Sequence, residues 1–157
     1  MKAMDFLVEQ KLVRCIGVSN FSVDQIKEAQ KYTKNKIVAN QIEYNLLVRD
    51  KGRVTENMES EIIPYCQENN IFIIAWRPLA KGKLAKPGFK ILDELADKYH
   101  KTQAQIAINW LISKKGIVVI SKSTKVEHLE KNLGAIGWKL RQEDTDRLNN
   151  EFINSRT

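Results

Sequence analysis

Polar side chains follow four apolar runs in this sequence, and their chemical types suit the binding of a small ligand. The four segments are residues 17–21, 40–45, 75–79 and 121–124. Ser19, Asn20 and Gln41 supply hydroxyl and amide groups, which both donate and accept hydrogen bonds and therefore match a neutral carboxamide. A plainer alternative stays open, in which Ser19 and Asn20 only turn the chain and Gln41 satisfies backbone groups.

The third segment combines a flat ring with a loop that is rich in cations. Trp76 ends an apolar run, where its ring either stacks on another flat ring or simply closes the core. The loop that follows contains Arg77, Lys81 and Lys83. Positive charges gathered in one loop favour a ligand that carries phosphate.

The fourth segment leads from an apolar run into a predicted helix. Backbone N–H groups and the helix dipole at a helix N-terminus favour an anion. Lys122 adds a point charge, and Ser123 and Thr124 add hydrogen-bond donors. The alternative is that this segment only caps the helix, a role that Thr124 is expected to share with Glu127.

Strands and helices alternate along the chain. Hydrophobic periodicity predicts strands over 14–18, 37–44, 71–76 and 117–120. Helices are predicted over 1–10, from 22, over 58–68 and 90–99, from 102, from 124 and over 142–152. Pro64 leaves the start of the helix 58–68 open, because proline is tolerated mainly in the first turn of a helix.

Local patterns also predict how these elements start and which sides are buried. Two helices begin with capping boxes, formed by Ser22 with Gln25 and by Thr102 with Gln105. The continuous apolar run 71–76 indicates a strand that is buried on both faces. Val126, Leu129 and Leu133 are expected on the buried side of their helix.

The alternation predicts parallel strands with right-handed crossovers in a single domain, residues 1–157. A complete (β/α)₈ barrel needs about 250 residues, so the pattern alone allows a small doubly wound sheet or part of a barrel. In both folds ligands bind at the carboxyl ends of the strands, where the four polar segments lie.

Composition and charge argue against several classes of function. The net charge is +7, but the basic residues are spread along the chain and no motif for nucleic acid is present. The sequence has no run of about 18 apolar residues, which a membrane-spanning helix would need. Residues 1–5 are not typical of a signal peptide. Cys15 and Cys66 are expected to be buried, reduced thiols of a cytoplasmic protein. The sequence has no Cys-x-x-Cys pair, a motif that would indicate a metal site.

The order and spacing of the four segments resemble the second half of the aldo-keto reductase family. The matching sequences are GVSNF at 17–21, NQIEYN at 40–45, AWRPL at 75–79 and SKST at 121–124. Members of that family are NAD(P)H-dependent carbonyl reductases built on a TIM barrel. The resemblance extends from residue 1 to about 138. It implies half of a (β/α)₈ barrel, with four parallel strands and flanking helices.

The resemblance also implies where an NADP(H) cofactor binds, with NAD as an alternative. Ser19, Asn20 and Gln41 would hold the nicotinamide carboxamide, and Trp76 would pack on the nicotinamide ring. The pyrophosphate loop is implied to include Arg77, Leu79 and Lys81. The end that binds the adenosine 2′-phosphate and adenine is implied to include Lys122, Ser123, Thr124, His128 and Asn132. This chain departs from the family's usual residues at Arg77, Ala80, His128 and Lys131.

The residues that perform the chemistry in that family lie outside the part that this chain resembles. The family's general acid is a Tyr, tuned by a Lys and an Asp, with a His that orients the substrate. We assign no catalytic residue, because Tyr44 belongs to a cofactor-side segment and His100 and His128 lie elsewhere. The expected function is an NADP(H)-dependent oxidoreductase of carbonyls, here a cofactor-binding half that is inactive alone.

A half-barrel leaves two strand edges open, and open edges invite pairing. Two copies could close an eight-stranded barrel, the chain could dock on a separate N-terminal half, or Met1 could be an internal methionine of a longer reductase. Two alternative functions also stay open. One is a non-catalytic nucleotide-binding or assembly module that keeps the fold, and the other is a structural protein without a ligand.

Overall fold

Four parallel strands form the centre of the structure, a computed structural model that describes residues 1–154 and the side-chain surroundings of residues 1–152. The strands are β1 (Ile16–Ser19), β2 (Ile37–Glu43), β3 (Phe72–Trp76) and β4 (Ile117–Val119). They lie side by side in chain order. The predicted strands and their parallel arrangement are therefore confirmed.

Helices connect and flank the strands. They are α1 (Lys2–Glu9), α2 (Val23–Lys31), α3 (Ile63–Glu68), α4 (Lys90–Tyr99), α5 (Gln103–Ile112), α6 (Val126–Leu133) and α7 (Gln142–Asn154). Both predicted capping boxes are present, because Gln25 N donates to Ser22 Oγ and Gln105 N donates to Thr102 Oγ1. Short polar side chains thus begin α2 and α5 as the sequence predicts.

The predicted helix 58–68 is divided. A π-helical turn, Met58–Ile62, comes first, and α3 then begins at Ile63 with Pro64 in its first turn. Proline has no N–H to donate, and its ring clashes with the carbonyl of the residue four positions earlier. A regular α-helix over the whole segment is therefore excluded, which explains the change of winding before Pro64.

Only one face of the sheet is covered. Ile42, Ile73 and Ala75 are fully buried beneath the helices. Phe72 on the opposite face is 55% exposed and Val118 is 47% exposed. Successive side chains of a strand point to opposite faces, so the prediction that β3 is buried on both faces is wrong. We call this uncovered side the open face; it carries Ser19, Gln41, Glu43, Phe72, Ile74, Trp76 and Val118.

The apolar side of α6 is also exposed. Val126 is 71% exposed and Leu133 is 65% exposed, so the prediction that these residues and Leu129 point inward is wrong. The expected cap by Thr124 and Glu127 is absent as well, since α6 begins after Lys125 without a side-chain cap. Ser123 instead exchanges hydrogen bonds with the backbone of Lys125.

The two cysteines have different surroundings. Cys66 is buried as predicted, and burial raises the pKa of its thiol to about 11. Cys15 is exposed, which corrects the prediction that it is buried. The reason is that β1 begins at Ile16, two residues after the predicted start, so Cys15 lies in the preceding connection.

A buried carboxylate attaches α1 to the segment that follows α2. Asp5 accepts hydrogen bonds from Thr33 Oγ1, from Asn35 Nδ2 at 2.8 Å and from Lys34 N at 3.1 Å. The hydrogen bonds from Thr33 and Asn35 lower the pKa of Asp5 from 3.8 to about 2. The charged carboxylate is thus the form that the folded chain favours.

Replacing Asp5 by Asn is expected to reduce stability at neutral pH and to have little effect in strong acid. A pKa that is lower in the folded chain gives stability that is present above 3.8 and is lost as pH falls through about 2. Urea unfolding of both chains from neutral pH to about pH 2 measures this difference. Glu68→Gln, at an exposed carboxylate, is the control. A difference that does not shrink in acid would contradict the argument.

Candidate functional site

A cavity of about 1070 Å³ opens at the carboxyl ends of β3 and β4. Its walls come from the loop after β3, the start of α5, the segment after β4 and one side of α6. Seven of the residues selected from the sequence line it, namely Trp76, Arg77, Leu79, Lys81, Lys122, His128 and Asn132. The structure thus brings two of the four polar segments to one cavity.

The other two polar segments meet beside this cavity, at the ends of β1 and β2. Ser19 Oγ donates to Gln41 O at 3.2 Å, and Asn20 N donates to the same carbonyl at 2.8 Å. Trp76 Nε1 donates to Asn20 Oδ1 at 3.4 Å, which joins this group to the cavity wall. Asn20 therefore connects Ser19 and Gln41 to the indole, although none of the three lines the cavity itself.

The loop after β3 has an unusual backbone. Arg77, Ala80 and Lys81 all have positive φ angles, between 47° and 59°, and Gly82 has a φ of 88°. Residues other than glycine rarely adopt positive φ angles. Such a backbone conformation persists where the surrounding structure enforces it, often at ligand sites. Asn45 Nδ2 donates to Arg77 O at 3.0 Å and fixes the start of the loop. The loop is held in one shape at the cavity wall.

Several cationic side chains line the cavity. Lys81, Lys86 and Lys122 line it together with Lys131, whose ammonium lies 2.6 Å from Glu127. The hydrogen bond from Lys131 lowers the pKa of Glu127, so this carboxylate remains charged. None of the described lining residues is acidic. The electrostatics of the cavity favour an anionic ligand.

Ser123 and Thr124 do not line the cavity. Thr124 is exposed, and Ser123 bonds to Lys125 as described above. Asn132 does line it, and its side-chain amide donates to Ser121 Oγ at 3.3 Å. The structure therefore separates this predicted group into residues that face the cavity and residues that turn the chain beside it.

The start of α5 also lines the cavity, a contribution that the sequence interpretation missed. Thr102 and Gln103 contribute to the wall, so the positive end of the α5 dipole faces the cavity. The capping box at Thr102 marks this helix start in the sequence. No local sequence pattern indicates that the start of α5 packs beside the segment after β4.

No tyrosine lines the cavity among the described residues. The hydroxyl of Tyr44 donates to Glu59 Oε1 at 2.5 Å within the core, and burial raises the pKa of this phenol. His128 lines the cavity on α6, and His100 ends α4. The cavity can hold a ligand, but its described walls offer no tyrosine that could deliver a proton there.

Residues 1–154 show neither a metal-binding cluster nor a membrane-spanning helix. No cluster of three His, Cys, Asp or Glu side chains in that part of the chain is placed to hold a metal ion. None of its helices combines the length and the apolar character that are needed to cross a membrane.

Comparisons with known proteins identify relatives of this chain. An uncharacterized oxidoreductase of Schizosaccharomyces pombe is 36% identical over 91% of this chain and 44% of its own length. A thermostable aldo-keto reductase in complex with the inhibitor epalrestat is 34% identical, with a TM-score of 0.84 over 96% of this chain and 53% of the other. A Klebsiella pneumoniae aldo-keto reductase in complex with NADPH is 26% identical, with a TM-score of 0.83 over 96% and 52%.

The chain spans about half the length of the relatives that it matches. Its four parallel strands with flanking helices correspond to half of their (β/α)₈ barrel, as the sequence predicted. The family model described as "Aldo/keto reductase family" matches residues 1–151. This chain belongs to the aldo/keto reductase family.

Proposed function

We propose that this chain is the NADP(H)-binding half of an enzyme that reduces carbonyl groups. The main support is that one cavity is lined by Trp76, by cations that include Lys122 and by Asn132. A dinucleotide has a flat ring, a charged diphosphate and a second flat base, and the lining of this cavity offers an aromatic ring, cations and an amide. A related reductase binds NADPH.

The residues present fit this cofactor part by part. Trp76 would hold the nicotinamide ring, with Ser19, Asn20 and Gln41 beside its carboxamide. The diphosphate would lie along the backbone of the loop from Arg77 through Leu79 to Lys81, with Lys81 as its cation, because the guanidinium of Arg77 is turned toward Trp76 and Glu43. When bound, NADPH supplies the hydride that reduces the carbonyl carbon. The adenosine end, with its 2′-phosphate, would lie near Lys122, His128 and Asn132, while Ser123 and Thr124 lie in the turn beside the cavity.

The cations after β4 and on α6 favour NADP(H) over NAD(H). Proteins that select NAD(H) use an Asp or Glu to bind the ribose 2′-hydroxyl. The described lining has no carboxylate and instead presents Lys122 and His128, together with Lys131, whose ammonium is already paired with Glu127. An additional phosphate would be attracted there, so NAD(H) is the weaker ligand in this proposal.

Trp76→Ala is the direct test of the binding site. Loss of an aromatic pair is worth about 1 kcal/mol, so we expect NADPH to bind roughly fivefold more weakly. Fluorescence titration of the purified chain with NADPH measures this change. Phe72→Ala is the control, since Phe72 is an exposed aromatic residue of the same strand that does not line the cavity. Equal affinities of wild type and Trp76→Ala would remove Trp76 from the site.

A second candidate function is a non-catalytic nucleotide-binding or assembly module. The observation that favours it is the lack of a tyrosine on the described cavity walls. This candidate binds NADPH as well, so titration does not distinguish the two. An assay for carbonyl reduction does, as discussed below.

The open face and the exposed side of α6 call for a partner in either case. Phe72 and Val118 on the open face and Leu133 on α6 are all largely exposed. Apolar surfaces of this kind usually mark interaction sites. We propose that a second α/β unit covers them and pairs with the edges of β1 and β4. The free thiols Cys15 and Cys66 fit a reducing compartment such as the cytoplasm.

A further inference from the structure

The guanidinium of Arg77 lies against the indole of Trp76 in the cavity. Its central carbon is 4.6 Å from the ring centroid, within the range of a cation–π contact. Nη1 of Arg77 also lies 3.5 Å from Glu43 Oε1. The guanidinium is thus held by one ring and one carboxylate, both on the open face of the sheet.

The backbone of Arg77 is far more firmly fixed than its side chain. Its carbonyl accepts from Asn45 Nδ2 at 3.0 Å and from Ala80 N at 2.9 Å. The side chain is 33% exposed and depends on only two contacts, a cation–π contact with Trp76 and an ion pair with Glu43, whose side chain is 13% exposed. The guanidinium can therefore leave Trp76 without any change in the loop that carries it.

The position of Glu43 determines where the guanidinium rests. Glu43 and Trp76 are paired neighbours on β2 and β3, so their side chains project from the same face. Trp76 is also fixed at its edge, because Nε1 donates to Asn20. With the indole fixed and Glu43 beside it, the guanidinium lies over one face of the indole.

We propose that Arg77 is a displaceable cover on Trp76, and that the nicotinamide ring replaces its guanidinium on the indole when the cofactor binds. Glu43 strengthens the cover by holding the guanidinium in place. This inference rests on the proposed function, because it requires the nicotinamide to stack on Trp76. The guanidinium of Arg77 thereby lowers the affinity of the chain for the cofactor.

The expected consequence is tighter cofactor binding once the cover is removed. To bind, the cofactor must break one cation–π contact and one partly exposed ion pair. We expect this to lower the affinity of the chain for NADPH by roughly three- to tenfold. Arg77→Ala should therefore lower the Kd for NADPH by that factor. Glu43→Gln keeps the guanidinium but removes the ion pair that holds it on Trp76, so it should lower the Kd by a smaller factor.

Fluorescence titration of the full chain with NADPH tests the proposal, with circular dichroism as a check that each variant is folded. Arg141→Ala is the matched control, since it removes the same charge from an exposed side chain outside the cavity and should not tighten binding. In a Trp76→Ala background, Arg77→Ala should give no gain, because the indole that the guanidinium covers is gone.

Three results would overturn the proposal. Unchanged or weaker binding by Arg77→Ala would show that the guanidinium does not cover the site. An equal gain with and without Trp76 would show that Arg77 acts elsewhere. If folded wild type and Arg77→Ala both fail to bind NADPH, the proposed function itself fails and this inference fails with it.

Discussion

The purified 157-residue chain is expected to oxidise no NADPH in the presence of an aldehyde, even at cofactor concentrations that fill the cavity. Carbonyl reduction requires a group that delivers a proton to the carbonyl oxygen as hydride arrives. The described cavity walls carry no tyrosine, and the hydroxyl of Tyr44 donates to Glu59 in the core. The cofactor-binding half is thus expected to bind without turnover.

A separately expressed N-terminal half of a full-length relative is expected to restore activity when it is mixed with this chain. The measurement is NADPH absorbance with an aldehyde, with each half alone as the control. Light scattering of the mixture shows whether a complex forms. Turnover by this chain alone would refute the proposal of an inactive half. A stable complex that never turns over would favour the non-catalytic module.

The topology favours a complementary half over a second copy as the partner. Connections between parallel strands are right-handed, so each connecting helix packs in the groove between the two strands that it joins. Here α1 leads into β1, and α6 follows β4. If two copies closed a ring, α1 of one and α6 of the other would compete for a single groove. A partner with four strands and only three connecting helices avoids this conflict.

Local chemistry explains what the sequence predicted well. The capping boxes at Ser22 and Thr102 form because the interacting groups are only three residues apart. Strand ends gather because parallel strands place all their carboxyl ends at one edge. This geometry brings Asn20 to Trp76, 56 residues away along the chain, without any local signal that the two side chains touch.

The features that the sequence did not reveal depend on what covers a surface. A period of three to four residues shows that Leu129 and Leu133 share a side of α6, but not that another element lies on that side. The same holds for Phe72 on the open face. The contact of Arg77 with Trp76 depends on a side-chain conformation and a positive φ, neither of which a residue pattern indicates.

Trp110→Ala is expected to have the largest effect on stability. The indole is fully buried, stacks on Tyr44 at 5.5 Å between centroids and donates through Nε1 to Asn149 Oδ1 at 3.0 Å. Truncation of a buried Trp to Ala removes apolar contacts and leaves a cavity, which lowers the free energy of unfolding by about 3–5 kcal/mol. The Asn149 amide also loses its donor, which adds to the loss.

Urea unfolding followed by far-ultraviolet circular dichroism measures this change, and two variants separate its causes. Trp110→Phe keeps a ring in the core but removes the N–H, so it should destabilise the chain less than Trp110→Ala does. Trp76→Ala makes the same truncation at a half-buried position beside the cavity. It should lower the unfolding free energy far less, because its ring contacts solvent in the folded chain. Equal losses for the two alanine variants would show that Trp110 does not anchor the core as its contacts indicate.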